Sequence, residues 1–239
     1  MVSVPQIEVH PTREALIQRS RDLVVARIET AIAERGRCTL ALAGGSTPKP
    51  LYLALAQTDL PWDKLHIFWG DERYVAPDHP DSNAGMAKAA WLDQVAIPPS
   101  QIHLVPTHLS PPAAAAAYNH TLQGVLGIET RPDIILLGMG DDGHTASLFP
   151  HTAALTVDDH LVTLGDKDGT PRITLTAAAI NRSRCVLFLV TGTNKQPALT
   201  QVFAEDGDDQ AYPSRLIRPE GELWWLLDSD AGAALEGSI

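Results

Sequence analysis

Residues 38–56 read CTLALAGGSTPKPLYLALA. The run from Cys38 to Ala43 is short and apolar and stops at the pair Gly44-Gly45, and STPKP then leads into the apolar stretch LYLALA. The pattern is strand, tight loop, helix. Upstream, Leu16, Ile17, Leu23, Val24, Ile28, Ala31 and Ile32 recur at helical spacing between Thr12 and Ala33. Thr12 and Glu14 are start signals for that helix, and Gly36 closes it. A first helix–strand–helix unit is thereby expected.

Further short apolar runs follow at Ile67-Phe68-Trp69 with His66 before them, Ile102 to Val105, Ile134 to Leu137, Val186 to Val190, and Leu223 to Leu227. They are apolar without alternation, as strands buried on both faces are. Between them, helices are predicted over Asn83 to Leu92, Ala113 to Leu126 after a Pro-Pro start, Thr174 to Ile180, and Asn194 to Phe203. The alternation predicts an α/β fold with a mostly parallel central sheet covered by helices on both faces. The Pro-containing segments at 77–80, 98–99 and 106–112 are too short for linkers, so one domain over residues 1–239 is expected.

Composition bounds the function. Of 239 residues, 44% are hydrophobic, and 29 Asp and Glu face 18 Lys and Arg, a formal charge of -11. A chain of this length hides roughly 70–75% of its unfolded surface, enough for a full core. Such a charge repels polyanions, and no Lys/Arg cluster stands out in the sequence, so nucleic acid is not an expected partner. A small anion remains open, because a few donors in a cleft outweigh a field screened within about 8–10 Å. Cys38 and Cys185 form neither a CxxC motif nor a disulfide framework, and no leader or membrane-length apolar run is evident. A cytoplasmic protein, a monomer, is expected.

In open α/β sheets ligands collect beyond the carboxyl ends of the strands. Four such ends are polar or Gly-rich: Gly44-Gly45-Ser46-Thr47, Gly70-Asp71-Glu72-Arg73, GMGDDGH from Gly138 to His144, and Thr191 to Lys195. The first loop offers close backbone approach, two hydroxyls and a helix start, the makings of a phosphate cradle; a plain turn capped by Ser or Thr explains it equally well. Lys195 and Arg172 each suit either an anion or solvent. In GDER, Asp71 and Arg73 belong to a crevice or to a local ion pair. GMGDDGH is the most informative segment: three glycines frame Asp142 and His144, and a histidine at a strand end titrates near neutrality, as a general acid or base should.

Other chemistries lack their motifs. There is no GxxxxGK followed by Ser or Thr, and no GxSxG elbow around Ser147. Asp78, His79 and Asp81 lack a further ligand, so no metal is expected.

Taken together, LALAGGSTPKPLY, IFWGDERYVAPDHPDSNAGMA, DIILLGMGDDGHTASLFP, PRITLT and LVTGTNKQPAL, with RPEGELWWLLD near the end, resemble the 6-phosphogluconolactonase family over nearly the whole chain. That resemblance implies a Rossmann-like three-layer α/β/α sandwich and cofactor-free hydrolysis of 6-phospho-D-glucono-1,5-lactone, the second step of the oxidative pentose phosphate pathway. It implies His144 as general base, oriented by Asp142 or Asp71. The phosphate would rest on Gly44, Gly45, Ser46 and Thr47, with Arg73, Lys195 and Arg172 as the surrounding cations. Glucosamine-6-phosphate deaminase shares the loop and the DGH segment, but its glutamate five positions after the histidine is Phe149 here. The rival readings are that deaminase, which Phe149 opposes, and a non-catalytic sugar-phosphate sensor, which the intact GDER and DGH segments oppose.

Overall fold

The computed structural model describes residues 4–235. Strand β1 (Gln6–His10) leads into helix α1 (Arg13–Arg35), which starts where Thr12 accepts a hydrogen bond from the Ala15 N–H at 3.1 Å. It stops at Gly36, whose φ of 75° is left-handed and whose N–H donates to the Ile32 carbonyl. Next come β2 (Cys38–Leu42), α2 (Lys49–Leu55), β3 (Leu65–Trp69), β4 (Asp71–Arg73), α3 (Asn83–Ala90), α4 (Pro111–Leu126) and β5 (Ile134–Leu137). The remainder is β6 (Val162–Lys167), β7 (Thr170–Leu175), α5 (Ala177–Asn181), β8 (Cys185–Val190), α6 (Gln196–Val202), β9 (Glu222–Asp228) and α7 (Ser229–Gly232).

Six strands form one wholly parallel sheet in the order β1-β9-β8-β5-β2-β3. Their residues alternate between two apolar layers, as a pleat requires. Leu40, Leu42, Ile67, Trp69, Leu136, Leu187 and Leu226 pack toward α1, α2 and α3; Ala41, Phe68, Leu137, Phe188 and Trp225 pack toward α4, α5 and α6. The three-layer sandwich follows from that division. On the second face Phe188 and Trp225 stack, centroids 3.8 Å apart.

A second, antiparallel sheet, β4-β7-β6, was not anticipated. It buries Val162, Ile173 and Leu175 in the same apolar layer as Phe188 and Trp225. Because Thr174 and Leu175 belong to β7, the helix predicted from Thr174 starts only at Ala177, with Thr176 as its cap accepting from the Ala179 N–H at 3.0 Å. The expected strand at Ile102 to Val105 does not form. Ile102 makes one parallel bridge to Ile67, and Pro106, which has no N–H, follows Val105. Likewise α3 ends at Ala90 rather than Leu92, and α6 follows a 3-10 turn over Thr193–Lys195.

The chain order places β3 on one side of β2 and β5 on the other, so the direction of winding reverses at β2. A crevice opens beyond the carboxyl ends of strands at such a switch point. There the chain sets Gly44-Gly45 after β2 and Gly138 to His144 after β5.

Candidate active site

A cavity of about 310 Å³ occupies that crevice. Its walls include Gly44, Gly45, Ser46 and Thr47, Asp71 and Arg73, Gly140 and His144, and Lys195, which come from all four strand ends singled out in the sequence.

The glycine loop is shaped by two constraints. Gly45 has φ 89°, where a side chain is strained, and a Cβ on Gly44 would sit 1.8 Å from Asn83 Oδ1. Helix α2 begins after Pro48 with no side-chain cap, so neither Ser46 nor Thr47 serves as its cap. Thr47 Oγ1 instead lies 3.3 Å from Thr191 Oγ1, closing the cradle against the end of β8.

GDER is a strand, not a loop, and the period of two sorts its residues. Asp71 and Arg73 line the cleft, whereas Glu72 between them is buried. Glu72 accepts from the backbone N–H of Arg73, Asn83 and Ala84 at 2.8 Å each and from Ser82 Oγ at 3.2 Å, tying β4 to the start of α3. Asp71 Oδ2 accepts from Ser147 Oγ at 2.7 Å, and the Asn83 amide donates to the Asp71 carbonyl at 2.9 Å. Asp71 makes no hydrogen bond to His144, so the orienting role offered to either aspartate has its geometric basis in Asp142 alone.

His144 Nδ1 lies 2.5 Å from Asp142 Oδ1, and the His144 backbone N–H donates to the same oxygen at 3.1 Å. A Cβ on Gly140 would come within 2.0 Å of that ring nitrogen, and Gly143 takes φ 76°. The glycines of GMGDDGH are thus what lets the loop fold over its own acid–histidine pair. Burial is the largest single influence and pushes the Asp142 carboxyl up, but the His144 side-chain hydrogen bond, the imidazole's charge and two backbone N–H groups together outweigh it and hold the carboxyl at about 2. An ionised carboxylate only accepts, so Nδ1 carries the hydrogen, and in the neutral ring the lone pair is then on Nε2. Phe149 packs on the imidazole, centroids 4.6 Å apart.

The cations divide. Lys195 reaches the cleft, and its ammonium is paired with Asp141, which also accepts from Asn194 at 2.9 Å. Arg73 lines the cleft while one of its nitrogens donates to the Asp81 carbonyl at 2.7 Å. Arg172 stands opposite Arg73 in the β4–β7 ladder but is absent from the cleft wall, and among the described residues its guanidinium's one hydrogen bond is to the Pro171 carbonyl at 3.3 Å. No group of three or more His, Cys, Asp and Glu suited to a metal occurs among the described residues.

A profile of the family described as glucosamine-6-phosphate isomerases/6-phosphogluconolactonase matches residues 11–225. The chain belongs to that family. Within it, the 6-phosphogluconolactonase of Nostoc sp. is 59% identical over 234 residues, covering 96% of this chain and 98% of its own. The one from Synechocystis sp. is 56% identical, with 97% and 98% covered. The solved structure of 6-phosphogluconolactonase from Trypanosoma brucei superposes with a TM-score of 0.88 at 31% identity, covering 98% of this chain and 100% of that one.

Several residues in or just behind the cleft of this isomerase/lactonase family member carry no signal of their role in the sequence. Lys167 lines the cleft from the β6–β7 hairpin, 5.9 Å from the Phe149 ring centroid. Asp141 pairs with Lys195, while Asn83, packed against Gly44, and Ser147 both hydrogen-bond Asp71. The turn signal Asp168-Gly169 was available for the hairpin; nothing local in the sequence marks the other three.

Proposed function

We propose that this chain hydrolyses 6-phospho-D-glucono-1,5-lactone to 6-phosphogluconate by general-base activation of water. The observation that carries this reading is His144, paired with Asp142 and set in the same cavity as a glycine cradle and the cations Arg73, Lys195 and Lys167. The names of the relatives support the same activity.

The residues fit the reaction's demands in turn. The sugar phosphate rests on Gly44, Gly45, Ser46 and Thr47, with the cleft cations neutralising its charge. His144 Nε2 takes a proton from water as the water oxygen bonds to the lactone carbonyl carbon. The carbonyl oxygen becomes an oxyanion, stabilised by a cleft cation other than those holding the phosphate at the far end of the substrate. On collapse, the bond to the ring oxygen breaks, and that oxygen leaves with the proton from His144. Asp142 holds the imidazole in the tautomer that makes both transfers and stabilises the imidazolium formed between them. Placement and one base, contributing about 10²–10⁴-fold, suffice for an activated ester.

Phe149 argues against the isomerase branch of the family. An apolar ring covers His144 at the position where a ring-opening carboxylate would stand. The test is to generate the lactone in situ with glucose-6-phosphate dehydrogenase and follow its loss beyond spontaneous hydrolysis, with ammonia release from glucosamine 6-phosphate as the contrasting assay. Turnover of the lactone without ammonia release is expected; the reverse pattern would overturn the assignment.

A further inference from the structure

The opposite end of the sheet, where β2, β5 and β8 begin, holds a second polar cavity of about 230 Å³. It lies one strand length from the cleft, about 15–20 Å away. Its walls carry Arg35, Arg37, Arg131 and Arg184 against only two carboxylates, Asp133 and Glu129. Four guanidiniums face two carboxylates in the wall, and Glu34 outside it pairs with Arg35, so positive charge is still in excess, in a chain whose formal charge is -11.

Both carboxylates are already engaged. Asp133 is buried: Oδ2 accepts from Thr39 N and Oγ1 at 2.8 Å each, and Oδ1 accepts from Arg35 Nε at 2.9 Å. Glu129 accepts from Arg184 Nη2 at 2.9 Å. Among the described residues neither Arg37 nor Arg131 has a carboxylate partner. Arg37 is steered by the Val125 carbonyl at 2.6 Å, and the Arg131 Nε is buried without an acceptor; the Arg184 Nε makes no hydrogen bond but lies 3.5 Å from Asp133 Oδ1. A buried donor left unmatched is costly, and forked donors converging from three loops suit a compact multi-oxygen anion.

We propose that this cavity is a second anion site, for a small phosphate-type dianion, with Arg37 and Arg131 as its uncompensated charges and Arg184 as an additional donor. The site is independent of the catalytic cleft and of the reaction assigned to it.

The test is a titration of the protein with inorganic phosphate, followed by the side-chain Nε–H resonances of Arg131 and Arg184, with chloride at equal ionic strength as the control. Phosphate should move both signals saturably and chloride should not. Arg37→Gln, at an exposed position beside the start of β2, and Arg131→Gln, read at the Arg184 signal, should each weaken that transition about tenfold or more. Catalysis should be unchanged in both variants. Signals that ignore phosphate, respond equally to chloride, or titrate alike in wild type and variants would overturn the proposal.

Discussion

His144 Nδ1 lies 2.5 Å from Asp142 Oδ1, two residues before it in a loop that only glycine at position 140 accommodates. The pair is therefore a property of the loop backbone as much as of the two side chains, and the backbone can be altered without touching either.

Gly140→Ala should act as a catalytic mutation. Its Cβ would lie 2.0 Å from His144 Nδ1 and 2.5 Å from Asp142 Oδ1, forcing the two apart. Steady-state kinetics on the phosphorylated lactone should show kcat falling by about 10²–10⁴-fold with KM changed little. A variant with wild-type kcat would show that the pair's geometry does not matter.

Asp142→Asn should cost stability in a pH-dependent way. The Asp142 carboxyl is held at about 2 in the fold against an ordinary value of 3.8, so the folded state prefers its charged form. That contribution is present above about pH 4 and is lost as pH falls through about 2. Urea denaturation at stepped pH should find wild type ahead of the variant near neutrality and the gap closing between these limits. A gap that persists at the acid end would contradict the assignment.

Glu72→Ala should be a stability mutation. Three backbone N–H groups and the Ser82 hydroxyl lose a buried acceptor, two of those N–H groups belonging to the first turn of α3. A loss of about 2–4 kcal/mol is expected in chemical denaturation. Asp71 and Arg73 stay held at the cleft by the β4–β7 ladder, so activity should fall with the population folded, not faster.

Lys195→Ala should separate binding from chemistry. Its ammonium lines the cleft and is paired with Asp141, and makes no hydrogen bond to Asp142 or His144. KM for the phosphorylated lactone should rise about ten- to hundredfold with kcat nearly kept, and the effect should vanish on the unphosphorylated lactone. An equal effect on both substrates would make the lysine a structural residue.

The parallel sheet was legible because its strands are buried on both faces, so composition alone marks Ile134 to Leu137 and Val186 to Val190. The small antiparallel sheet was not. β4 has three residues, all charged, and β6 and β7 expose their polar ends toward the hairpin, so no apolar run announces them. The same reason hid Lys167 and made GDER look like a loop. The glycine-framed segments were readable, since tight turns at strand ends demand that residue. What could not be read were partners distant in sequence: Ser147 on Asp71, Asn83 against Gly44, and Asp141 on Lys195, 54 positions away.

The most direct test of the account is the kcat of His144→Ala on in-situ 6-phospho-D-glucono-1,5-lactone, corrected for spontaneous hydrolysis. A fall of about 10²–10⁴-fold with KM nearly unchanged is predicted. Wild-type kcat in that variant would contradict the assignment of His144 as the base.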